Sequence, residues 1–407
     1  MRERQKQSIP LKSYYMSSRA LGRLGILVLF VSGAGCIPIF AQNVPAPSVS
    51  TSGTTARLGS LLSEAKQAMR QGDNASAEPL LRQALTIDPH SLEALNELGV
   101  VLARLGRPSQ AVPFYREALS LNPNPATERN LAIAYFKSEK YAKAWEILRP
   151  MAAERSADFQ VLDLAGLSLV ALDRYKDAAQ YLERANRQQP ADLETLDMLG
   201  KAYLRLKDYP ALTSVFARIM QINPNSPAAH VMMGTAYDDR QQRSEAIKEY
   251  QLAEAADPNF MGVHSGLGYL YFRQGDMELA EKEFRAELQR FPNDPVSNCY
   301  LGEILLNKSQ ASDAKSYFEA ALKTNPKYGE ALLGLGRTQL ATNDPHGAIA
   351  SLRRAVEVDP DNFQVHYLLG TALRNVGQNQ EAVREQKLSM AIQEKQRARA
   401  IQKTESQ

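Results

Sequence analysis

Residues 227–260, PAAHVMMGTAYDDRQQRSEAIKEYQLAEAADPNF, contain two apolar patterns of helical period separated by polar residues. The apolar residues of the two patterns are Met233, Ala236 and Tyr237, followed by Ala246, Tyr250 and Ala253. The polar stretch 238–244 between them is typical of a turn. Pro258 ends the second pattern, because proline lacks an amide donor and disfavours helical geometry in the residue before it. The stretch therefore predicts two helices joined by a short turn.

This two-helix pattern recurs every 34 residues along most of the chain, with one unit of 33 residues at 92–124. Ten units begin at residues 58, 92, 125, 159, 193, 227, 261, 295, 329 and 363, and places are counted from these starts. Place eight holds the glycines Gly99, Gly166, Gly200, Gly234, Gly268, Gly302, Gly336 and Gly370. We interpret these glycines as structural, because a residue without a side chain lets two helices approach closely. Overpacking by Gly234→Leu is expected to destabilise the fold.

The repeat resembles the tetratricopeptide repeat (TPR) family, whose units are 34-residue helix–turn–helix hairpins. The family pattern is present in residues 193–226 as Leu199, Gly200, Tyr203, Phe216 and Pro224, although Leu212 and Ile219 occupy two alanine places. The resemblance covers residues 58–396. It implies an all-α fold, a right-handed α-solenoid of about ten helix–turn–helix units. It also implies that the first helices line a concave groove that binds extended peptides or partner helices.

The groove positions implied by the resemblance carry basic and apolar side chains. The basic candidates at place thirteen are Arg104, Lys137, Arg205 and Arg273. The apolar candidates at places nine and twelve are Val100, Ile133, Phe136, Leu167, Val170 and Leu204. A strip of apolar side chains bordered by basic ones would suit an acidic, partly apolar partner segment. The alternative is that the apolar groups are buried between neighbouring first helices and that the basic row is a solvated face.

The first 41 residues differ from the rest of the chain in charge and pattern. They carry a net charge of +5, and the apolar run 24–31 is followed by small residues. This layout is typical of a signal peptide, with Met16 as a possible start, and a retained membrane anchor through residues 24–41 is the alternative. Lipidation at Cys36 is a third possibility, since 33–36 loosely resembles a lipobox. An exported protein, periplasmic or associated with the bacterial cell envelope, is therefore expected.

Two flanking segments complete the domain organisation. Residues 42–57 are rich in Pro, Ser, Thr and Gly, and we expect a disordered tether there. Residues 397–407 are expected to form a charged C-terminal tail. Beyond residue 41 the net charge is −2, which argues against nucleic-acid binding.

The sequence contains no catalytic spacing, and we expect no enzyme, no cofactor and no metal. Gly266 and Gly268 begin like a dinucleotide loop, but the third glycine of that motif is missing. His230, His264 and His366 share place four of their units and are interpreted as packing residues, because one or more units separate them. Cys299 is interpreted as a small packing residue.

These observations predict a non-catalytic scaffold of the bacterial cell envelope that binds partner peptides or helices in its groove. The alternative is an accessory subunit for polysaccharide synthesis or export, or a glycan-binding protein. Neither the partner nor the oligomeric state follows from the residues.

Overall fold

The computed structural model describes residues 51–405, which contain twenty α-helices and no strand. The predicted leader, 1–41, lies outside the described residues, and so does most of the predicted tether. The tether prediction is wrong at its end, because residues 51–57 already belong to the first helix, α1 (Thr51–Arg70). The all-α prediction is confirmed, and the helices divide into ten hairpins with the predicted period.

The helices belong to two compact units, residues 51–222 and 223–405. The first unit contains α1, α2 (Asn74–Ile87), α3 (Leu92–Arg104), α4 (Pro108–Leu121), α5 (Pro125–Lys137), α6 (Tyr141–Ala153), α7 (Phe159–Ala171), α8 (Tyr175–Gln188), α9 (Leu193–Leu206) and α10 (Tyr209–Ile222). The second unit contains α11 (Pro227–Asp239), α12 (Arg243–Ala256), α13 (Val263–Gln274), α14 (Met277–Arg290), α15 (Pro295–Asn307), α16 (Ala311–Thr324), α17 (Gly329–Ala341), α18 (Pro345–Val358), α19 (Phe363–Asn375) and α20 (Asn379–Glu405). Odd numbers are therefore the first helices of the repeats and even numbers the second helices.

Each hairpin turn contains one residue with left-handed backbone geometry at place fifteen. Glycine occupies this place in four repeats, as Gly72, Gly106, Gly275 and Gly377. The other six repeats use Glu139, Asp173, Lys207, Gln241, Ser309 and Asn343, with φ between 58° and 63°. In every repeat the next amide donates back to the carbonyl at place eleven, as in Arg107 N–H to Leu102 O at 2.9 Å. This pattern of helix termination satisfies a carbonyl that the helix itself leaves unpaired.

Six of the place-eight glycines are packing sites that admit a side chain of the second helix rather than a second backbone, namely Gly99, Gly166, Gly234, Gly268, Gly302 and Gly336. A Cβ added to Gly234 would lie 2.9 Å from the ring of Tyr250, and one added to Gly268 would lie 2.8 Å from Phe284. Gly266 lies on the other side of Tyr250, where an added Cβ would come within 2.3 Å of the ring. The aromatic ring at place twenty-four is thus held between two first helices.

The joint between the sixth and seventh repeats departs from the pattern. Helix α13 begins two residues later than the sequence predicts, after Gly262 with a φ of +92°. The buried carboxylate of Glu287, from α14, accepts the amide protons of Gly262 at 2.8 Å and Ser265 at 3.1 Å. Glu287 thereby replaces the side-chain cap that Ser226 or Asp294 supplies to the helices on either side.

Candidate functional site

The predicted basic row lies along the C-terminal ends of the first helices in the 51–222 unit. Arg104, Lys137 and Arg205 are in the last turns of α3, α5 and α9, and all three are half-buried. The Arg205 guanidinium lies 5.9 Å from the ring centroid of Tyr175. A cation at the end of a helix is stabilised by the helix dipole. These side chains therefore form a persistent positive edge.

The predicted apolar strip is only partly available to a partner. Val100, Ile133 and Leu167, at place nine, are half-buried. Phe136, Val170 and Leu204, at place twelve, are buried, so the expectation that they line an open groove is wrong. Adjacent first helices contact each other, and each also packs against the second helix of its own repeat. Phe136 also packs edge-on against Tyr141 at 5.3 Å. The accessible apolar strip thus consists of the place-nine residues.

A second charged row, which the sequence analysis did not identify, lies on the first two turns of the same helices. Its acidic members are Glu93, Glu97, Asp163, Glu194 and Asp197, at places two, five and six of α3, α7 and α9. Helix α5 has Arg129 at this level, and Arg129 donates to Asp158 at 2.9 Å. The acidic residues alternate between places, so no single column of the aligned repeats reveals them. The acidic row becomes visible only when the helices are stacked.

Burial alters the charges that border this face. Desolvation lowers the pKa of Lys137, and desolvation together with the nearby Arg205 lowers the pKa of Lys201 to about 8. Desolvation raises the pKa of Glu97. Charges that have already lost part of their hydration have less desolvation to undergo when a partner binds, which favours specific over purely electrostatic binding. The face therefore combines an apolar strip with an acidic row on one side and a basic row on the other.

Charged side chains on the first helices of the 223–405 unit pair with each other, as Lys66 and Glu93 do in the 51–222 unit. Arg273, the fourth predicted basic residue, donates to Asp238 on the preceding first helix at 2.8 Å. Arg337 donates to both carboxylate oxygens of Glu303, at 2.9 and 2.7 Å. Aromatic residues there pack mainly against one another, as in the contact of Tyr269 with Tyr300 at 5.1 Å between ring centroids. This unit presents no comparable basic row among its described residues.

The predicted packing role of the histidines is refined by their hydrogen bonds. His230, His264 and His366 each place Nδ1 at 2.6–2.8 Å from a glutamate on the second helix of the same repeat. His264 also has Nε2 3.0 Å from the carbonyl oxygen of Pro258, so both of its ring nitrogens face acceptors. Glu283 is the main cause of a raised pKa at His264. These pairs tie the two helices of a repeat together.

A cluster of three potential metal ligands surrounds one of these pairs. Side-chain atoms of Glu254, His264 and Glu283 lie within 4.8 Å of one another. His230 and His366 form the same histidine–glutamate pair, and among the described residues no second carboxylate completes a three-ligand group there, so the pair is a repeated packing feature. Cys299, the remaining nucleophile noted in the sequence, is buried, and burial raises the pKa of its thiol well above the usual value. A buried neutral thiol is a packing residue.

Within residues 51–405, every helix is too short or too polar to span a bilayer. The predictions of a signal peptide, a membrane anchor and lipidation at Cys36 concern residues outside this range and stay predictions.

Comparison with known families supports the repeat assignment. Models described as "Tetratricopeptide repeat" match residues 62–126, 164–227 and 231–295, and a second one matches residues 305–370, so that together they cover more than half of the chain. A model described as "Anaphase-promoting complex, cyclosome, subunit 3" matches residues 110–185.

Two solved structures show how this chain compares with known helical proteins. MamA is 21% identical, with 40% of this chain and 96% of that chain covered at a TM-score of 0.36. A monomeric mutant of IFIT1 (L457E/L464E) with Gppp-AAAA is 17% identical, with 74% of this chain and 78% of that chain covered at a TM-score of 0.49. Identities and scores this low leave the family matches as the basis of the assignment.

Proposed function

Because the chain belongs to the tetratricopeptide repeat family, we propose that it is a non-catalytic scaffold of the bacterial cell envelope that binds partner proteins along the face formed by α3, α5, α7 and α9. TPR proteins generally bind protein partners. The observation that carries the proposal is the strip of Val100, Ile133 and Leu167 between an acidic and a basic row. This arrangement is found on the 51–222 unit of the described chain.

The charge pattern defines the kind of partner segment. An amphipathic helix lying across the first helices would place its apolar side chains on the place-nine residues. Acidic residues on one flank would face Arg104, Lys137 and Arg205, and basic residues on the other flank would face the carboxylate row. Charges on two flanks fix the orientation of the partner, because the reversed helix would bring like charges together. Binding is a reversible equilibrium without chemistry.

The envelope setting is inferred from the leader. Residues 1–41 combine a net charge of +5 with the apolar run 24–31, the layout of an export signal. Fractionation of the native cells tests this part separately. Recovery of the protein in the periplasm or with the envelope membranes is expected, and recovery in the cytoplasm would contradict it.

The binding face is tested by crosslinking in the native cell. A photoreactive amino acid at Ile133, a half-buried member of the strip, should capture a specific protein, whereas one at the exposed Lys176 of α8 should not. The captured protein is then purified, and its association with the full chain is followed by interferometry at several salt concentrations.

A matched pair of triple variants decides which surface is used. Replacing Arg104, Lys137 and Arg205 by Gln is expected to slow association and to reduce its dependence on salt, because the steering charge is removed. The control replaces three exposed basic residues on second helices, Arg116, Arg149 and Lys176, by Gln. Both variants change the net charge equally. Equal effects of the two, or capture of polysaccharide without protein, would overturn the proposed face.

A further inference from the structure

The last helix of the described chain, α20, has an apolar stripe on its outer side. Val383 is 48% exposed, Met390 69% and Ile401 60%. Residues seven and eighteen positions apart return to nearly the same side of an α-helix, so these three side chains line up. Lys387, Glu394 and Arg397 fall on the same line, between the apolar residues.

The same repeat places are covered elsewhere in the 223–405 unit. Ile349, on α18, occupies the place of Val383 and is only 8% exposed, and Val356 occupies the place of Met390 and is half-buried. Helix α18 packs against α19, the first helix of the following repeat. The outer side of α20 is therefore the surface on which this fold stacks a further helix. Within residues 51–405 nothing covers it.

Two of the three charged residues along the stripe, Lys387 and Arg397, are basic, and the other exposed cations of α20 lie on other sides of the helix. Glu381 accepts from Arg353 at 2.8 Å, and Glu385 lies 2.6 Å from His366, so both carboxylates are occupied within the unit. One exposed carboxylate, Glu394, remains on α20 up to residue 402. The exposed basic residues of that stretch are Arg384, Lys387, Lys395, Arg397 and Arg399.

A second copy of the chain is a poor complement to this surface. An antiparallel pairing that places Val383 opposite Ile401 of another copy places Lys387 opposite Arg397. A parallel pairing in register places Lys387 opposite Lys387 of the second copy and Arg397 opposite its Arg397. Both arrangements bring like charges together, which is destabilising, and the antiparallel register that pairs Arg397 with Glu394 joins only Met390 and Ile401 of the apolar stripe. A lipid surface is disfavoured too, because Glu394 interrupts the apolar line and would enter the bilayer with it.

We propose that the outer side of α20 binds an acidic amphipathic helix of a partner protein. Apolar residues of that helix cover Val383, Met390 and Ile401, and its carboxylates face Lys387 and Arg397. The binding mode continues the stacking that joins α18 to α19, with a helix from another chain in place of the next repeat. This site is separate from the face proposed above and does not depend on it.

The test uses the full chain and two synthetic helical peptides that differ only in charge. Both peptides carry leucines spaced to match the stripe, and they have either glutamate or glutamine on the flanks. Fluorescence anisotropy should show at least about tenfold tighter binding of the glutamate peptide at low salt, a difference that shrinks as salt rises.

Two variants on the same helix localise the site. Met390→Glu should weaken binding of the glutamate peptide by about tenfold or more, because it places an acid in the apolar stripe. Leu388→Glu is the control, since Leu388 is 44% exposed on another side of α20. Circular dichroism confirms that both variants keep the wild-type helix content. The triple variant in which Arg104, Lys137 and Arg205 are replaced by Gln should bind the glutamate peptide with the same affinity as the wild-type chain.

Four outcomes would overturn the proposal. These are equal affinity for the two peptides, no binding of either peptide, an equal loss in the two α20 variants, and binding that survives Met390→Glu. Flotation with phosphatidylglycerol vesicles in preference to peptide binding would assign the surface to a membrane instead. Concentration-dependent association of the wild-type chain in sedimentation experiments, abolished by Met390→Glu, would assign it to a second copy.

Discussion

Substituting Gly266 by alanine should destabilise the 223–405 unit, although alanine is the better helix former. The ring of Tyr250 lies between Gly266 and Gly234, and a Cβ on Gly266 would come within 2.3 Å of Cε1 and 2.4 Å of Cζ. The ring also packs closely against α11, where a Cβ on Gly234 would lie 2.9 Å from Cδ2 and Cε2. A displaced ring would also lose the buried hydrogen bond between its hydroxyl and Thr235 Oγ1, 2.9 Å long.

The expected magnitude follows from three effects. Overpacking a core by one methyl group costs about 1–3 kcal/mol. Loss of the Tyr250–Thr235 hydrogen bond adds about 1 kcal/mol. Alanine recovers about 1 kcal/mol of helix propensity. The free energy of unfolding, measured by urea titration with far-ultraviolet circular dichroism, should therefore fall by roughly 1–3 kcal/mol. Gly59→Ala is the control, since a Cβ there meets nothing within 4 Å and should stabilise α1 slightly.

A second-site change shows whether the ring is the cause. Two of the repeats with leucine at place twenty-four have Leu182 and Leu352 there. The repeats that follow them have Met198 and Leu368 at place six, the place of Gly266 in its own repeat, and both residues are larger than glycine. In a Tyr250→Leu background, Gly266→Ala should therefore cost little. A double-mutant cycle should give a coupling energy of at least about 1 kcal/mol. An equal loss in both backgrounds, or no loss in the wild type, would refute this account of the glycine.

Two further predictions concern charge and backbone geometry. His264 has a raised pKa in the fold, chiefly through its bond to Glu283, so its stabilising contribution is complete below the unfolded pKa of about 6.5 and is lost as pH rises through the higher folded pKa. Urea titrations between about pH 5 and 9 should show this decline in the wild type and a smaller one in His264→Gln; parallel curves would contradict it. Gln241→Gly should raise the unfolding free energy by about 1 kcal/mol, because Gln241 has a φ of +63°, whereas Gly275→Ala, at a φ of +93°, should lower it. Thermal denaturation measures both, and a stabilised Gly275→Ala would be the contrary result.

The repeat architecture could be predicted because its signals are local and periodic. Proline at the unit boundary and glycine at place eight recur with the same spacing, and each acts on the backbone within a few residues of itself. The same holds for the apolar patterns of the two helices, which explains why most helices within residues 51–405 begin where the period places them. The sequence also indicated correctly that Cys299 is a packing residue.

The hairpin turns show where local signals fail. All ten repeats use left-handed geometry at place fifteen, but glycine marks only four of them. The other turns adopt the same backbone because both flanking helices are held by tertiary packing, which supplies the energy that the residue itself does not. Glu287 is a related case, since a carboxylate on α14 that caps α13 has no signature within the capped segment.

The amino-acid sequence was enough to establish the helix–turn–helix repeat, its length and the apolar face of each helix. These features depend on residues spaced three to thirty-four positions apart in the chain. Which groove side chains remain available to a partner was settled by how the helices pack. Phe136 and Ile133 are both apolar and three residues apart, yet Phe136 is buried, with its ring against Tyr141 of the second helix, and Ile133 is half-buried. Burial depends on how closely two helices approach, and that distance is set by all the side chains packed between them.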